Sequence, residues 1–348
     1  MIAEDKIIDC LAQAGFSGMA SGIRVTEERV TFVIEVDPAQ GSEIETLRQK
    51  AEQAVSSLDG ALHVTAIMTA KRQNGTSKQP KKRAQIENLA PSIKHIIAVA
   101  SGKGGVGKST VAVNLAVALA AQGYKTGLMD ADIYGPSAPM MLGIHGKPEV
   151  IDEKLQPLEA HGLKIMSMGF LVAEDKPMIW RGPMIQTALR QFLEDVNWGD
   201  LDILVVDMPP GTGDAQLTMA QKVPLSGAVI VSTPQDIALL DARKGLNMFR
   251  QVSVPVFGII ENMSVHICPR CEYEEYIFGQ QGAEKEAKKL DCDFLGAIPL
   301  HIDIRTSGDN GTPVILAKPD SPAARVFKDI AKKITAQLAG KQTRAQAL

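Results

Sequence analysis

The sequence predicts an α/β protein, with a mostly parallel sheet flanked by helices and a small α+β domain ahead of it. Three observations carry that prediction. From Ile93 onward, short unbroken apolar runs alternate with helical stretches, and strands without polar alternation are covered on both faces. A polar, basic stretch with Gly and Pro, residues 71–83, sets this region apart from residues 1–70. At 348 residues the chain exceeds one small domain and suits a large α/β domain with a smaller companion.

Taken in order, residues 1–70 open on an amphipathic stretch carrying Ile7, Ile8 and Leu11. A run rich in β-formers follows at 29–36, and a helix at 44–58 gathers Ile44, Leu47, Ala51, Ala54 and Val55. A second strand is predicted over 61–68, which makes a small α+β unit. Residues 71–92 read as a flexible basic linker; such a run can touch RNA or lipid, but a solvated tether is the simpler reading. In the domain 93–340, strands are predicted at 96–100, 126–129, 163–166, 203–206, 228–231, 256–260 and 294–298. The last helix, 322–338, places Val326, Phe327, Ile330, Ile334 and Leu338 on one side to pack on the sheet, and residues 341–348 form a polar tail.

Composition excludes several classes. Net charge is −3 and pI about 6.1, so no global field draws the chain to DNA or anionic membranes. Aromatics are 4% of residues, too few for a base-stacking platform. No apolar run reaches the ~18 residues of a membrane span. The start, Met1-Ile-Ala-Glu-Asp-Lys6, is acidic where a secretory leader is basic. Four cysteines are too few for a disulfide framework and suit a reducing cytoplasm. The expectation is a cytoplasmic protein with no nucleic-acid and no membrane partner.

The run Gly102-Lys-Gly-Gly-Val-Gly-Lys-Ser109 lies between a predicted strand and a predicted helix and fits G-x-x-x-x-G-K-[ST]. Its glycines, with Val106 and Thr110 on either side of Gly107-Lys108-Ser109, turn backbone N–H groups toward an anion at a helix N-terminus. Lys108 is placed to reach the β- and γ-phosphates, and the Ser109 hydroxyl to ligate Mg²⁺. Gly102-x-Gly104-x-x-Gly107 also fits a dinucleotide fingerprint, with Asp130 standing where a ribose-binding acid would be. Three features decide for a nucleoside triphosphate: Lys108-Ser109 beside the last glycine, the pair Asp130 and Asp132, and the apolar strand ending Asp207-Met-Pro-Pro-Gly-Thr-Gly213. Lys103 is unusual in such a loop. It is either an exposed loop lysine or a charge offered in trans to the nucleotide of a second subunit.

With those residues in view, 101–110 resembles the deviant Walker A motif of the MinD/ParA/nitrogenase-iron-protein ATPases, P-loop NTPases of the SIMIBI type. Asp130-Ala-Asp-Ile-Tyr-Gly-Pro-Ser137, Ile179-Trp-Arg-Gly-Pro183, Asp207 to Thr218, Thr233-Pro-Gln-Asp236 and Glu261-Asn-Met-Ser264 resemble the Mrp/ApbC (Nbp-like) iron–sulfur cluster carriers. The match runs from about residue 93 to 314. The resemblance implies slow ATP hydrolysis in a homodimer, with Lys103 acting across the dimer, Asp132 orienting the attacking water, and Asp207 in the Mg²⁺ shell. Asn262 would contact adenine, and the stretch after Pro299 would line the other side of the base. Implied partners are apo iron–sulfur client proteins and cluster-assembly scaffolds; the alternative is a MinD/ParA-like positioning ATPase acting on membrane or DNA, against which the acidic pI, the sparse aromatics and the polar tail argue. Residues 1–70 resemble, weakly, the small domain that precedes the ATPase in bacterial relatives. Where that domain carries a cysteine-containing element, 36–41 has none, so partner docking is its expected role.

Cys268-Pro-Arg-Cys271 allows three readings: half of a zinc site with His266 as the nearby candidate, a redox pair, or half of the four thiolates of a [4Fe-4S] cluster shared by two subunits. The spacing leaves these open; the resemblance implies the third. Glu272 stands where the family often has glycine. Cys292 and Cys10 read as small buried hydrophobes.

Overall fold

A computed structural model describes residues 4–25, 29–36, 44–58, 63–70, 90–132, 135–170, 182–268, 270–271 and 273–346. Contacts divide the chain into two compact units, Met1–Lys82 and Arg83–Leu348.

The first unit is built from α1 (Glu4–Leu11), β1 (Ala20–Val25), β2 (Arg29–Val36), α2 (Ile44–Ser56) and β3 (His63–Ala70). The strands pair in the order β1-β2-β3, antiparallel then parallel. Alternation along β2 buries Val30, Phe32 and Ile34 against Ile7, Leu11, Ala51 and Val55 of the helices. Ile8 is a correction: it is exposed, because a helix of eight residues shows the core one narrow stripe and Ile7 and Leu11 fill it. β1 escaped the sequence reading because Ser21, Gly22 and Arg24 interrupt its apolar pattern. The predicted linker and the cysteine-free element 36–41 lie, but for Val36, Ala90, Pro91 and Ser92, outside the described residues.

The second unit runs β4 (Ile93–Ala100), α3 (Lys108–Ala121), β5 (Thr126–Asp130), α4 (Ala138–Met141), β6 (Val150–Ile151), β7 (Lys154–Leu155), β8 (Leu158–Ala160) and β9 (Leu163–Ser167). It continues through α5 (Gly182–Glu194), β10 (Leu201–Asp207), α6 (Asp214–Lys222), β11 (Gly227–Ser232), α7 (Asp236–Gln251) and β12 (Val256–Glu261). It ends with β13 (His266–Ile267), β14 (Glu274–Glu275), α8 (Gly282–Lys289), β15 (Phe294–Ala297), α9 (Ile302–Asp309), α10 (Val314–Ala317) and α11 (Pro322–Gln346).

Eight strands form one sheet in the order β15-β12-β11-β4-β10-β5-β9-β8. Every pair is parallel except β8 on β9, which closes one edge as a hairpin. The central strands are buried along nearly their whole length, as unbroken runs of Ile, Val and Leu require. α3 is buried on almost all sides, from Val111 to Leu119, because it lies between the sheet and α11. Of the last helix, Phe327, Ile330, Ile334 and Leu338 are buried and Val326 packs on the core. That helix continues through the expected tail to Gln346, since Ala, Lys and Gln are good helix formers and no proline stops it. Most of Ile179-Trp-Arg-Gly-Pro183 lies outside the described residues.

Candidate functional site

Parallel strands put their carboxyl ends, and the loops that follow, on one edge of the sheet. Three adjacent strands supply the site: β4 leads into the glycine loop, β10 ends at Asp207 and β5 ends at Asp130. Gly105 and Gly107 both take φ of +80°, a conformation that side chains rarely adopt, and so turn the loop back on itself. Gly102 faces the backbone of Asp241 in α7 so closely that a Cβ there would overlap it. The Ser101 hydroxyl donates to the Lys103 carbonyl at 2.9 Å, fixing the backbone of the unusual lysine. α3 has no side-chain N-cap and no acid in its first turn, which leaves its leading N–H groups for an anion.

Lys108 begins α3 and is buried. Its ammonium donates to Asp207 Oδ1 at 2.5 Å and to the Ser109 hydroxyl at 3.3 Å, and lies 3.6 Å from Asp132 Oδ2. Among the described residues, Asp207 Oδ2 is buried without a hydrogen-bond partner. Burial pushes the Asp207 carboxyl up, while the Lys108 charge and hydrogen bond and then Ser109 pull it down. A lone buried carboxylate oxygen beside a serine hydroxyl suits a hard cation, which takes oxygen ligands and keeps several waters. Ser109 and Asp207 are therefore the residues that fit Mg²⁺, and the glycine loop with Lys108 fits the phosphates.

Asp130 pairs with Asp207 in register on the neighbouring strand and is fully buried. It accepts the N–H groups of Asp132, Ser137 and Ala138 and the hydroxyl of Ser167, at 3.0–3.2 Å. Asp130 thus holds both ends of the loop that carries Asp132. Burial and then the Asp207 charge push its carboxyl up to about 7, against the pull of those donors. An acid raised above its ordinary 3.8 binds its proton more readily folded than unfolded. Charging it costs stability as pH rises from about 4 to about 7, and the cost is complete above that window. Asp130→Asn is expected to flatten the pH dependence of Tm over that window, as thermal melts at half-unit steps will show.

The loop after Asp207 is fastened to the glycine loop. Met208 N–H donates to the Val99 carbonyl and Gly211 N–H to the Ser101 carbonyl, each at 3.0 Å. Gln216, buried in α6, donates from Nε2 to the carbonyls of Pro209 at 2.7 Å and Ser101 at 3.3 Å. The sequence reading missed Gln216. Its one signal is a long amide two residues into the helix that follows a glycine-rich loop.

Beside Gly107 and Thr110 opens a cleft of about 390 Å³. Asn262, Met263, Pro299, Leu300 and His301 line it, together with Met140 and Met141 of α4. The two segments expected around a base thus face one cleft. Asn262 has a further task that sequence did not show: Nδ2 donates to the Val106 carbonyl of the glycine loop at 2.8 Å.

Cys268 and Cys271 stand at the tip of the hairpin β13–β14, with Cys271 exposed and Cys268 half-buried. The Cys268 N–H donates to the Tyr273 carbonyl at 3.0 Å. Backbone N–H groups of Arg270 and Cys271, and then the Cys271 side chain, lower the Cys268 thiol and favour its thiolate. Among the described residues no three His, Cys, Asp or Glu side chains gather into a metal site. Cys10 and Cys292 are half-buried rather than buried: Cys10 Sγ meets the Ala54 carbonyl at 3.1 Å, and Cys292 packs beside the core, where burial raises its thiol. No helix among the described residues is long and apolar enough to cross a membrane.

Comparison with known proteins follows the same division. Residues 92–335 match the model of the NUBPL iron-transfer P-loop NTPases, and residues 16–67 match that of an iron–sulfur cluster assembly protein family. The chain is 52% identical to the iron–sulfur cluster carrier protein of Pseudomonas fragi over 284 residues, 80% of this chain and 96% of that one. It is 54% identical to the mouse iron–sulfur cluster transfer protein NUBPL over 249 residues, 71% of this chain and 78% of that one. Among solved structures, an Archaeoglobus fulgidus nucleotide-binding protein in complex with ADP superposes with a TM-score of 0.58 at 42% identity, covering 66% of this chain and 91% of that one. The cell-division ATPase MinD of Pyrococcus furiosus shares the fold, with a TM-score of 0.53 at 21% identity over 70% of this chain and 99% of that one. A family match over most of the chain and identities above one half have one meaning: this chain belongs to the NUBPL iron-transfer P-loop NTPase family.

Proposed function

We propose that the protein is a cytoplasmic ATP-hydrolysing iron–sulfur cluster carrier. It binds a [4Fe-4S] cluster between the subunits of a homodimer, receives it from assembly scaffolds and releases it to apo-proteins. The observation that carries this reading is the thiol pair on an accessible hairpin of a chain that also holds a P-loop. Two thiolates per chain are half of what such a cluster needs, and a two-fold axis through the hairpin tips supplies the rest. A cluster held at exposed tips can leave by thiolate exchange with a client's cysteines.

On the nucleotide side, the glycine loop and Lys108 hold the phosphates, and Ser109 and Asp207 hold Mg²⁺. Bound Mg²⁺ supplies charge that steadies the oxygens of the transferring phosphoryl group. Asp132, close to Lys108 and buried, orients the attacking water. Asn262 and the wall after Pro299 receive adenine. Lys103 adds its charge across the dimer.

Anaerobic purification with iron and sulfide counts, alongside sedimentation, tests the reading. About four iron and four sulfide per dimer are expected. A metal-free dimer, or a loaded monomer, would sink it.

A further inference from the structure

The thiol hairpin and the base cleft share two strands of backbone, and that sharing points to a route between nucleotide and cargo. After β12 the chain passes through Asn262 and Met263, which wall the cleft, and reaches Cys268 five residues after Met263. Each step on the way is held. Asn262 N–H donates to the Ser232 carbonyl, and its side chain to Val106 of the glycine loop. Ser264 donates to the Ile298 carbonyl through both its N–H and its hydroxyl, at 2.9 and 3.0 Å. The Leu300 N–H donates back to the Val265 carbonyl at 2.8 Å, and His266 bridges to Leu300 as a parallel strand partner. His266 and Ile267 then pair with Glu275 and Glu274, which brings the ladder to the cysteines.

Residues 264–266 and 298–300 therefore form a two-railed ribbon. Met263, just before one rail, and Pro299 to His301, along and just after the other, line the cleft. Hydrogen bonds between the rails make them move together. The bend where the ribbon leaves the sheet falls on Met263, a non-glycine residue at φ +55° that lines the cleft itself. Strain stored at a ligand wall gives the ribbon a place to pivot. The glycine loop meets the ribbon only at its root, through Asn262 and Val106, and the carboxylate that fits Mg²⁺ is more remote: Asp207 lies on β10, three strands from β12, or about 14 Å at ~4.8 Å per strand.

Building on the nucleotide reading above, we infer that the base, rather than the γ-phosphate, is what the thiol pair senses. A base seated in the cleft against Met263 and Pro299 to His301 stills the ribbon and limits access to Cys268, whether the nucleotide carries two phosphates or three.

The test is alkylation of the cluster-free, full-length protein with iodoacetamide under anaerobic conditions. Each cysteine is followed by peptide mass spectrometry, with Cys10 as the internal reference. Calorimetry on the same samples reports binding of ADP and of inorganic tripolyphosphate, which fills the loop but has no base. Saturating ADP is expected to slow Cys268 at least threefold relative to Cys10, and tripolyphosphate to leave it within about 1.5-fold. Ser264→Ala, which removes one of the rail bonds, should keep ADP affinity within about threefold and lose most of the protection. An unchanged or faster Cys268 with ADP bound overturns the inference and leaves the nucleotide reading standing. Equal protection by tripolyphosphate also overturns it, because the phosphate loops would then carry the signal. If calorimetry finds no ADP binding, the nucleotide reading falls and takes the ribbon with it.

Discussion

Lys103→Ala is expected to lower ATP hydrolysis about 10³-fold while changing ADP affinity less than about threefold, the scale of a charge supplied to the transition state alone. Lys108 is already committed within its own chain to Asp207, Ser109 and Asp132. The Lys103 backbone is pinned by the Ser101 hydroxyl, and its ammonium has no partner among the described residues. A lysine with a fixed base and an uncommitted charge suits action on a neighbouring subunit's nucleotide. Single-turnover hydrolysis and calorimetry separate the two effects. A mixture of Lys103→Ala with Lys108→Ala subunits provides the sharper check. Each mixed dimer has one site with an intact Lys108 facing an intact Lys103, so activity absent from either variant alone should return. If the mixture stays inactive, or if ADP affinity falls together with hydrolysis, Lys103 serves its own loop instead.

Cys268→Ala, Cys271→Ala and the double variant should each lose more than about tenfold of the iron bound on anaerobic reconstitution. The single variants are expected to be nearly as defective as the double. A symmetric dimer of either single variant offers two thiolates where four are needed. ADP affinity and Tm should stay close to those of the parent, because the hairpin tip is exposed and contributes little burial. Full retention of iron and sulfide by the double variant would end the cluster proposal. Loss of iron together with a large fall in Tm would instead assign the cysteines a structural role.

Much of this protein was legible in one dimension, for identifiable reasons. The strands at 96–100, 126–129 and 203–206 could be read because a strand buried on both faces needs an unbroken apolar run. The glycine loop could be read because backbone that bends through positive φ beside a helix start leaves glycines at set spacings. The resemblance to iron–sulfur carriers came from motifs of this local kind, and the family match agrees with it. β1 and the exposure of Ile8 were hidden, since neither a broken apolar pattern nor one turn of an amphipathic helix says which side meets the core.

What sequence by itself determined was the class of sheet, the phosphate loop, the acids that follow two of its strands and the presence of a thiol pair. Each of these is written within a few neighbouring residues. Only the tertiary structure decided which of them meet. It set Asp130 against Asp207 by strand register, gave Gln216 the carbonyls of two loops, and turned Asn262 onto Val106, 156 positions away. It also joined the walls of the cleft to the cysteine hairpin through residues 298–300. Contacts of that kind depend on which strands lie side by side, and strand order is settled by the packing of the whole sheet rather than by any stretch of chain.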